Sequence, residues 1–108
     1  MIASGLSTAN LCDGAMAVGV EVRLSIMVRP LDRSWRLAGP SRCVRHFGSV
    51  DIFLECIERS QPGEVLVIDN DGRPDEGCIG DLVTLEAAQA GLAGIVVWGR
   101  HRDSNELK

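Results

Sequence analysis

The 108 residues contain no tyrosine, and two phenylalanines and two tryptophans bring the aromatic content to only 4%. Stacking of unpaired bases on aromatic side chains therefore has little to build on. A net charge of −4 removes the broad basic field that holds a phosphate backbone. None of Cys12, Cys43, Cys56 and Cys78 stands in a C-x-x-C pair, and neither His46 nor His101 has zinc-ligand spacing. Free buried thiols in a reducing cytoplasm are the expectation. No apolar run is long enough to span a bilayer, and Met1–Gly5 lacks the basic-then-apolar pattern of a secretory leader. Gly80, Gly91 and Gly94 make no dinucleotide fingerprint. The chain has no internal repeat and no low-complexity segment.

What is present suits one domain over residues 1–108. A chain of this size buries about two-thirds of its unfolded surface, so a core needs no staples. Charge is uneven: residues 1–50 carry six arginines against three acids, and residues 51–108 carry five basic residues against twelve acids. The dispersed arginines 23, 29, 33, 36, 42 and 45 read as solvated surface or a subunit interface rather than an RNA patch.

Ser7 or Thr8 can cap a first helix through Leu11, Ala15 and Val18, ending near Gly19. Glu21–Val28 mixes alternation with β-branched residues and predicts a strand that Pro30 ends. Trp35–Ala38 and Cys43–Phe47 are further strand candidates. Ser49 is a candidate N-cap for a helix whose apolar face is Val50, Phe53, Leu54 and Ile57; Pro62-Gly63 stops it. Glu64–Asp69 and Gly94–Gly99 read as buried strands. Between them, Gly80 precedes a helix over Asp81–Ala90 with Leu82, Leu85 and Ala88 on one face. Strands alternating with helices indicate an α/β domain, with ligands expected beyond the C-terminal ends of the strands.

One spacing carries chemistry. Twenty residues separate Asp81 from Arg102-Asp103, and Glu106 follows two residues beyond, D-x20-R-D-x2-E. The unpaired N–H groups at the start of the helix after Gly80, those of Leu82 and Val83 included, favour a carboxylate. Glycine at 80 allows close backbone approach. Arg102 can grip the same anion bidentately, and Asp103 offers one hard oxygen ligand, which is how Mg²⁺ is usually held. Each residue also has an ordinary reading: Asp81 as a helix N-terminal acid, Arg102-Asp103 as a surface pair, Glu106 as solvated surface. Asp69–Gly72 reads as a turn despite resembling the start of a calcium loop, and His46 and His101 read as structural.

Together, the segments LSTANLCDG (6–14), LAGPSRCVR (37–45), PGEVLVIDNDG (62–72), GDLVTLEAAQAGLAGIVVWG (80–99) and RDSNE (102–106) resemble the RraA-like family. That family includes a regulator of ribonuclease E and metal-dependent 4-hydroxy-4-methyl-2-oxoglutarate/4-carboxy-4-hydroxy-2-oxoadipate aldolases. The resemblance implies a swivelling β/β/α fold like that of phosphohistidine domains, and trimers or paired trimers (hexamers) with sites between subunits. It implies that Asp103 binds Mg²⁺ or Mn²⁺, that Arg102 holds the oxygens of a small 2-oxo acid, and that Asp81 positions a water for proton transfer. The backbone at Gly80, Leu82 and Val83 then receives the pyruvate carboxylate, and Glu106 closes the motif in a supporting position. Family chains normally continue past this motif, so the expectation is a version shortened at its C-terminus. Arg100 and His101 stand where small or apolar residues are usual, which would bear on substrate preference.

The implied activity is a class II pyruvate aldolase with oxaloacetate decarboxylase side activity. The alternative is a non-catalytic regulator that binds a ribonuclease, a type that lacks the carboxylate after the arginine. A shortened relative without activity is the third reading. A methyltransferase function has no glycine-rich nucleotide loop to support it.

Overall fold

A computed structural model describes residues 5–108. The expectation of no leader over Met1–Gly5 lies, apart from Gly5, outside the described residues. Helix α1 (Thr8–Ala17) begins with a reciprocal capping box: Ser7 Oγ accepts the Asn10 N–H (3.1 Å), and Asn10 Oδ1 accepts the Ser7 N–H (3.0 Å). It ends in a Schellman closure, Val20 N–H to Ala15 O and Gly19 N–H to Met16 O, with Gly19 at φ 77°. The predicted cap and stop are both observed.

Strand β1 (Ser41–Arg45), helix α2 (Asp51–Glu58), strand β2 (Val65–Asp69), strand β3 (Gly77–Ile79), helix α3 (Asp81–Gln89), strand β4 (Gly94–Trp98) and strand β5 (Arg100–His101) follow. β1, β2 and β4 form a parallel sheet in that order, with Cys43, Val67 and Val96 in register, and Arg45, Asp69 and Trp98 two residues on. β3 and β5 form a separate two-stranded parallel pair. The core lies between the large sheet and the helices: Phe53 and Ile57 of α2 and Val83 and Ala87 of α3 meet Leu66, Ile68, Cys78 and Ile79.

Several expectations are corrected. Residues 21–28 alternate as a strand would but find no ladder partner among the described residues; Leu24 and Ile26 stand 75% and 81% exposed. Alternation reports what a strand would bury, and a strand forms only where an edge accepts it. Trp35–Ala38 is likewise not a strand, and the candidate at Cys43–Phe47 is shifted to Ser41–Arg45. Ser49 caps indirectly: its Oγ accepts the Asp51 N–H at 3.2 Å, while Val50 occupies the N-cap position. In α3 the buried stripe is Val83 and Ala87, and Leu82 and Leu85 face out. Both stripes have helical spacing, so periodicity cannot choose between them; packing against α2, β4 and β3 together buries Val83 and Ala87. The short strands β3 and β5 fall below the length at which periodicity registers. Of the four thiols, all are free but only Cys78 is buried; Cys43 is exposed.

Candidate active site

The site is built where β3 runs into α3 and β4 runs into β5. Gly80 is the N-cap of α3, in an extended conformation (φ −146°, ψ −162°) that any residue can adopt. Its lack of a side chain serves a different purpose. A Cβ at this position would meet Asp103 Oδ2 at 2.7 Å and Arg102 Nε at 3.0 Å. At Gly77, at the other end of β3, a Cβ would contact Arg102 Cβ at 3.4 Å and Cγ and Cδ at 3.5 Å. The Arg102 side chain thus lies along β3 over two glycines. Of the two, Gly80 is a candidate from its place before the helix; Gly77 is signalled only by the spacing G-x-x-G at 77–80.

Arg102 is fixed by its backbone, whose N–H donates to Ile79 O at 3.0 Å. Its guanidinium remains 72% exposed and stands 3.6 Å, Nε to Oδ2, from Asp103. Asp103 takes the left-handed backbone conformation (φ 58°), which aspartate tolerates better than most residues. The Glu106 and Leu107 N–H groups hold its carbonyl at 2.9 and 3.2 Å. That turn aims the Asp103 carboxylate back at α3, where Oδ2 lies 3.4 Å from the Asp81 N–H.

Gly80, Asp81, Arg102 and Asp103 are therefore brought together, as the spacing predicted. Val83 is placed in the core, so only its backbone faces the site. The Leu82 N–H is already used: Asp81 Oδ1 accepts it at 2.8 Å. A substrate carboxylate at this helix start would displace the Asp81 side chain and free it toward solvent. Glu106 enters through its backbone bond to Asp103. His101, beside the pair, meets Ser104 Oγ at 3.0 Å.

Among the described residues, no three His, Cys, Asp or Glu side chains converge as metal ligands. A cation here would rest on the Asp103 carboxylate and complete its shell with water and substrate. That donor set is hard, anionic and open, and it fits Mg²⁺ or Mn²⁺ rather than a closed zinc site.

The family model described as Aldolase/RraA, RraA-like, matches residues 8–108. The chain belongs to the RraA-like family. Proteins of Burkholderia mallei and Burkholderia pseudomallei named "Putative 4-hydroxy-4-methyl-2-oxoglutarate aldolase" are 34% identical over 104 residues, which is 94% of this chain and 63% of theirs. The chain thus spans about 63% of the length of these curated relatives. A Streptomyces coelicolor protein described as an unusual member of the RNase ES inhibitor RraA family superposes with a TM-score of 0.80 at 29% identity, covering 97% of this chain and 55% of its own. The RNA-processing inhibitor RraA of a Thermus species superposes at 0.76 with 27% identity, over 89% and 58%. The α/β fold expected from the resemblance is thereby that of RraA-like proteins. Among the described residues, no helix is long and apolar enough to cross a membrane.

Proposed function

We propose that this RraA-like chain carries the site of a divalent-metal-dependent class II pyruvate aldolase. Its substrates are 2-oxo acids of the 4-hydroxy-4-methyl-2-oxoglutarate type, and oxaloacetate decarboxylation is a side activity. The observation that carries the reading is the Arg102-Asp103 pair folded over Gly80 at the start of α3. The Arg102 guanidinium and the Asp103 and Asp81 carboxylates on one small surface support the roles that the reading gives them: substrate grip, metal ligand and proton handling. The names of the Burkholderia relatives support the reaction class.

Arg102 binds the substrate's oxygens and stabilises the charge that grows on the pyruvate enolate as the carbon–carbon bond breaks. The Gly80–Val83 backbone and the helix dipole receive the carboxylate. Asp81, released from the Leu82 N–H by that carboxylate, holds the water that takes a proton from the substrate hydroxyl and returns one to the enolate. Asp103 would hold Mg²⁺ or Mn²⁺, and the metal, when bound, would supply Lewis acidity worth several kcal/mol at the 2-oxo group. Oxaloacetate losing CO₂ forms the same enolate, so the two activities share one site.

The protein works as a trimer or hexamer in the cytoplasm, where four unpaired thiols are stable. Assembly is supported by the sheet face away from the helices, a hollow of about 410 Å³ lined by Cys43, Arg45, Val67, Asp69, Val96 and Trp98. Parallel sheets are ordinarily covered on both faces. The test is pyruvate release from oxaloacetate and from 4-hydroxy-4-methyl-2-oxoglutarate. Release should cease with excess chelator and return with Mg²⁺ or Mn²⁺; turnover that survives chelation overturns the mechanism.

A second reading, a non-catalytic regulator of ribonuclease E, is favoured by the similarity to the RNA-processing inhibitors. It predicts inhibition of the ribonuclease that survives Asp103→Ala, with no pyruvate formed.

A further inference from the structure

A buried polar cluster sits beside the site and takes no part in the chemistry above. Asn70, wholly buried, follows β2; His46, 3% exposed, follows β1; Glu76 immediately precedes β3. Asn70 Nδ2 lies 2.8 Å from Glu76 Oε1, 3.1 Å from His46 Nδ1 and 3.4 Å from His46 O. His46 Nε2 lies 3.1 Å from Gly48 O. With His46 donating from Nε2, its Nδ1 accepts; the two Asn70 amide hydrogens are shared among Glu76 Oε1, His46 Nδ1 and His46 O, and Cys78 Sγ lies 3.4 Å from the same Nδ1. Arg73 Nη1, 3.2 Å away, neutralises Glu76 from outside.

Stability alone does not call for this arrangement. Asn70 Oδ1 is buried without a hydrogen-bond donor, a state native proteins mostly avoid. Rotating the amide would turn Oδ1 onto the Glu76 carboxylate, so the orphan oxygen follows from keeping that bond. The space is reserved for this side chain as well: a Cβ on Gly99 would meet Asn70 Oδ1 at 2.7 Å and Cβ at 2.8 Å. Asn70 thus ties the ends of β1, β2 and β4 to the residue that leads into β3. Along β3, Gly77 and Gly80 form the floor under Arg102, and Ile79 O receives the Arg102 N–H.

We infer that Asn70 and Glu76 are positioning residues, a clamp that fixes β3 and thereby sets Arg102 and Asp103 against Gly80. The consequence for ligand binding rests on the aldolase-type reading; the structural consequence does not. The clamp needs an acceptor at position 76, not a charge, and two donors at position 70.

The test compares Glu76→Ala, Glu76→Gln and Asn70→Asp, the last matching the native shape without its donors. Amide hydrogen exchange is measured at Cys78–Asp81 and Arg102, with Leu66 and Ile68 of β2 as internal reference. Oxalate, a planar mimic of the pyruvate enolate, is titrated in Mg²⁺. Glu76→Ala and Asn70→Asp should speed exchange at Ile79, Gly80 and Arg102 by about tenfold and weaken oxalate by a similar factor. The β2 amides should stay protected, and Glu76→Gln should restore both to within about twofold. Protection lost evenly across the chain, or unchanged at Arg102 in Glu76→Ala, overturns the clamp, as does failure of Gln to rescue. Should Asn70→Asp not fold, the Glu76 pair decides, since that side chain lies at the rim (24% exposed). Wild-type protein that binds no oxalate and forms no pyruvate refutes the aldolase-type reading, while the exchange comparison still decides the clamp.

Discussion

At position 80 a glycine is required by what lies above it, because its backbone dihedrals are open to any residue. Gly80→Ala would press on Asp103 Oδ2 and on the Arg102 side chain at Nε and Cγ. Both side chains reach solvent and can move aside, so the variant should unfold within about 1 kcal/mol of wild type, the lower part of the usual cost of single substitutions. Its pyruvate release should nevertheless fall by about 10² or more, since a misplacement near 1 Å costs that much. Full turnover with a displaced pair would remove Arg102 from the chemistry. Arg102→Lys keeps the charge and loses the planar fork, so KM should rise and kcat fall together. Asp81→Asn should lower kcat by about 10²–10⁴ with little change in KM, as expected for loss of a proton-transfer group. Asp81 serving only as a helix-start acid predicts unchanged turnover and a loss of a few tenths of a kcal/mol at most.

At the scale of elements, an ion pair ties β1 to the start of β2, the strand that supplies Leu66 and Ile68 to the core. Arg42 of β1 grips Glu64, just before β2, with two bonds of 3.0 Å, and the Gln61 N–H adds a third. The guanidinium first, and then that N–H, hold the Glu64 carboxyl below its usual 4.5. The folded chain therefore releases this proton at lower pH than the unfolded chain does. The stabilisation is complete above 4.5 and is lost as pH falls through the lowered folded value. Glu64→Gln should reduce Tm at neutral pH, and the gap from wild type should close well below pH 4.5; a gap independent of pH would contradict this. Cys78 on β3 makes a chemical counterpart. Burial pushes its thiol up to about 11, with the Glu76 carboxylate adding to the shift. Reactivity follows the thiolate, so iodoacetamide at neutral pH should leave buried Cys78 unmodified until the chain unfolds. Mass mapping of the native and the unfolded protein checks this.

At the scale of the whole molecule, apolar surface is left exposed in more than one place. Val67 and Val96 line the bare sheet face, and Leu24, Ile26 and Met27 stand out on a segment that joins no strand among the described residues. Surface of this kind marks contact with another chain. The expected outcome is concentration-dependent association at micromolar protein, seen by light scattering; a monodisperse monomer throughout that range would count against assembly. Leu82 and Leu85 on α3, beside the candidate site, are exposed as well.

Local chemistry wrote the first helix into the sequence: a serine and an asparagine three residues apart start it, and Gly19 stops it, because caps act within one turn. The strands at 65–69 and 94–98 were legible as apolar runs, although the second, expected to be buried, is only half-buried with Trp98 exposed, and the D-x20-R-D spacing was legible as a candidate site. Tertiary structure alone decided the rest. Which stripe of α3 is buried depends on how β3 presents the helix to the sheet, and both stripes have the same period. Whether residues 21–28 pair depends on an available edge, which alternation does not encode. The seating of the Arg102 side chain over Gly77 as well as Gly80 rests on contacts between segments more than 20 residues apart and on two strands too short to leave a pattern, and it arises only when β5 returns beside β3. Asn70 and Glu76 are six residues apart, but the His46 contact that completes their cluster spans 24.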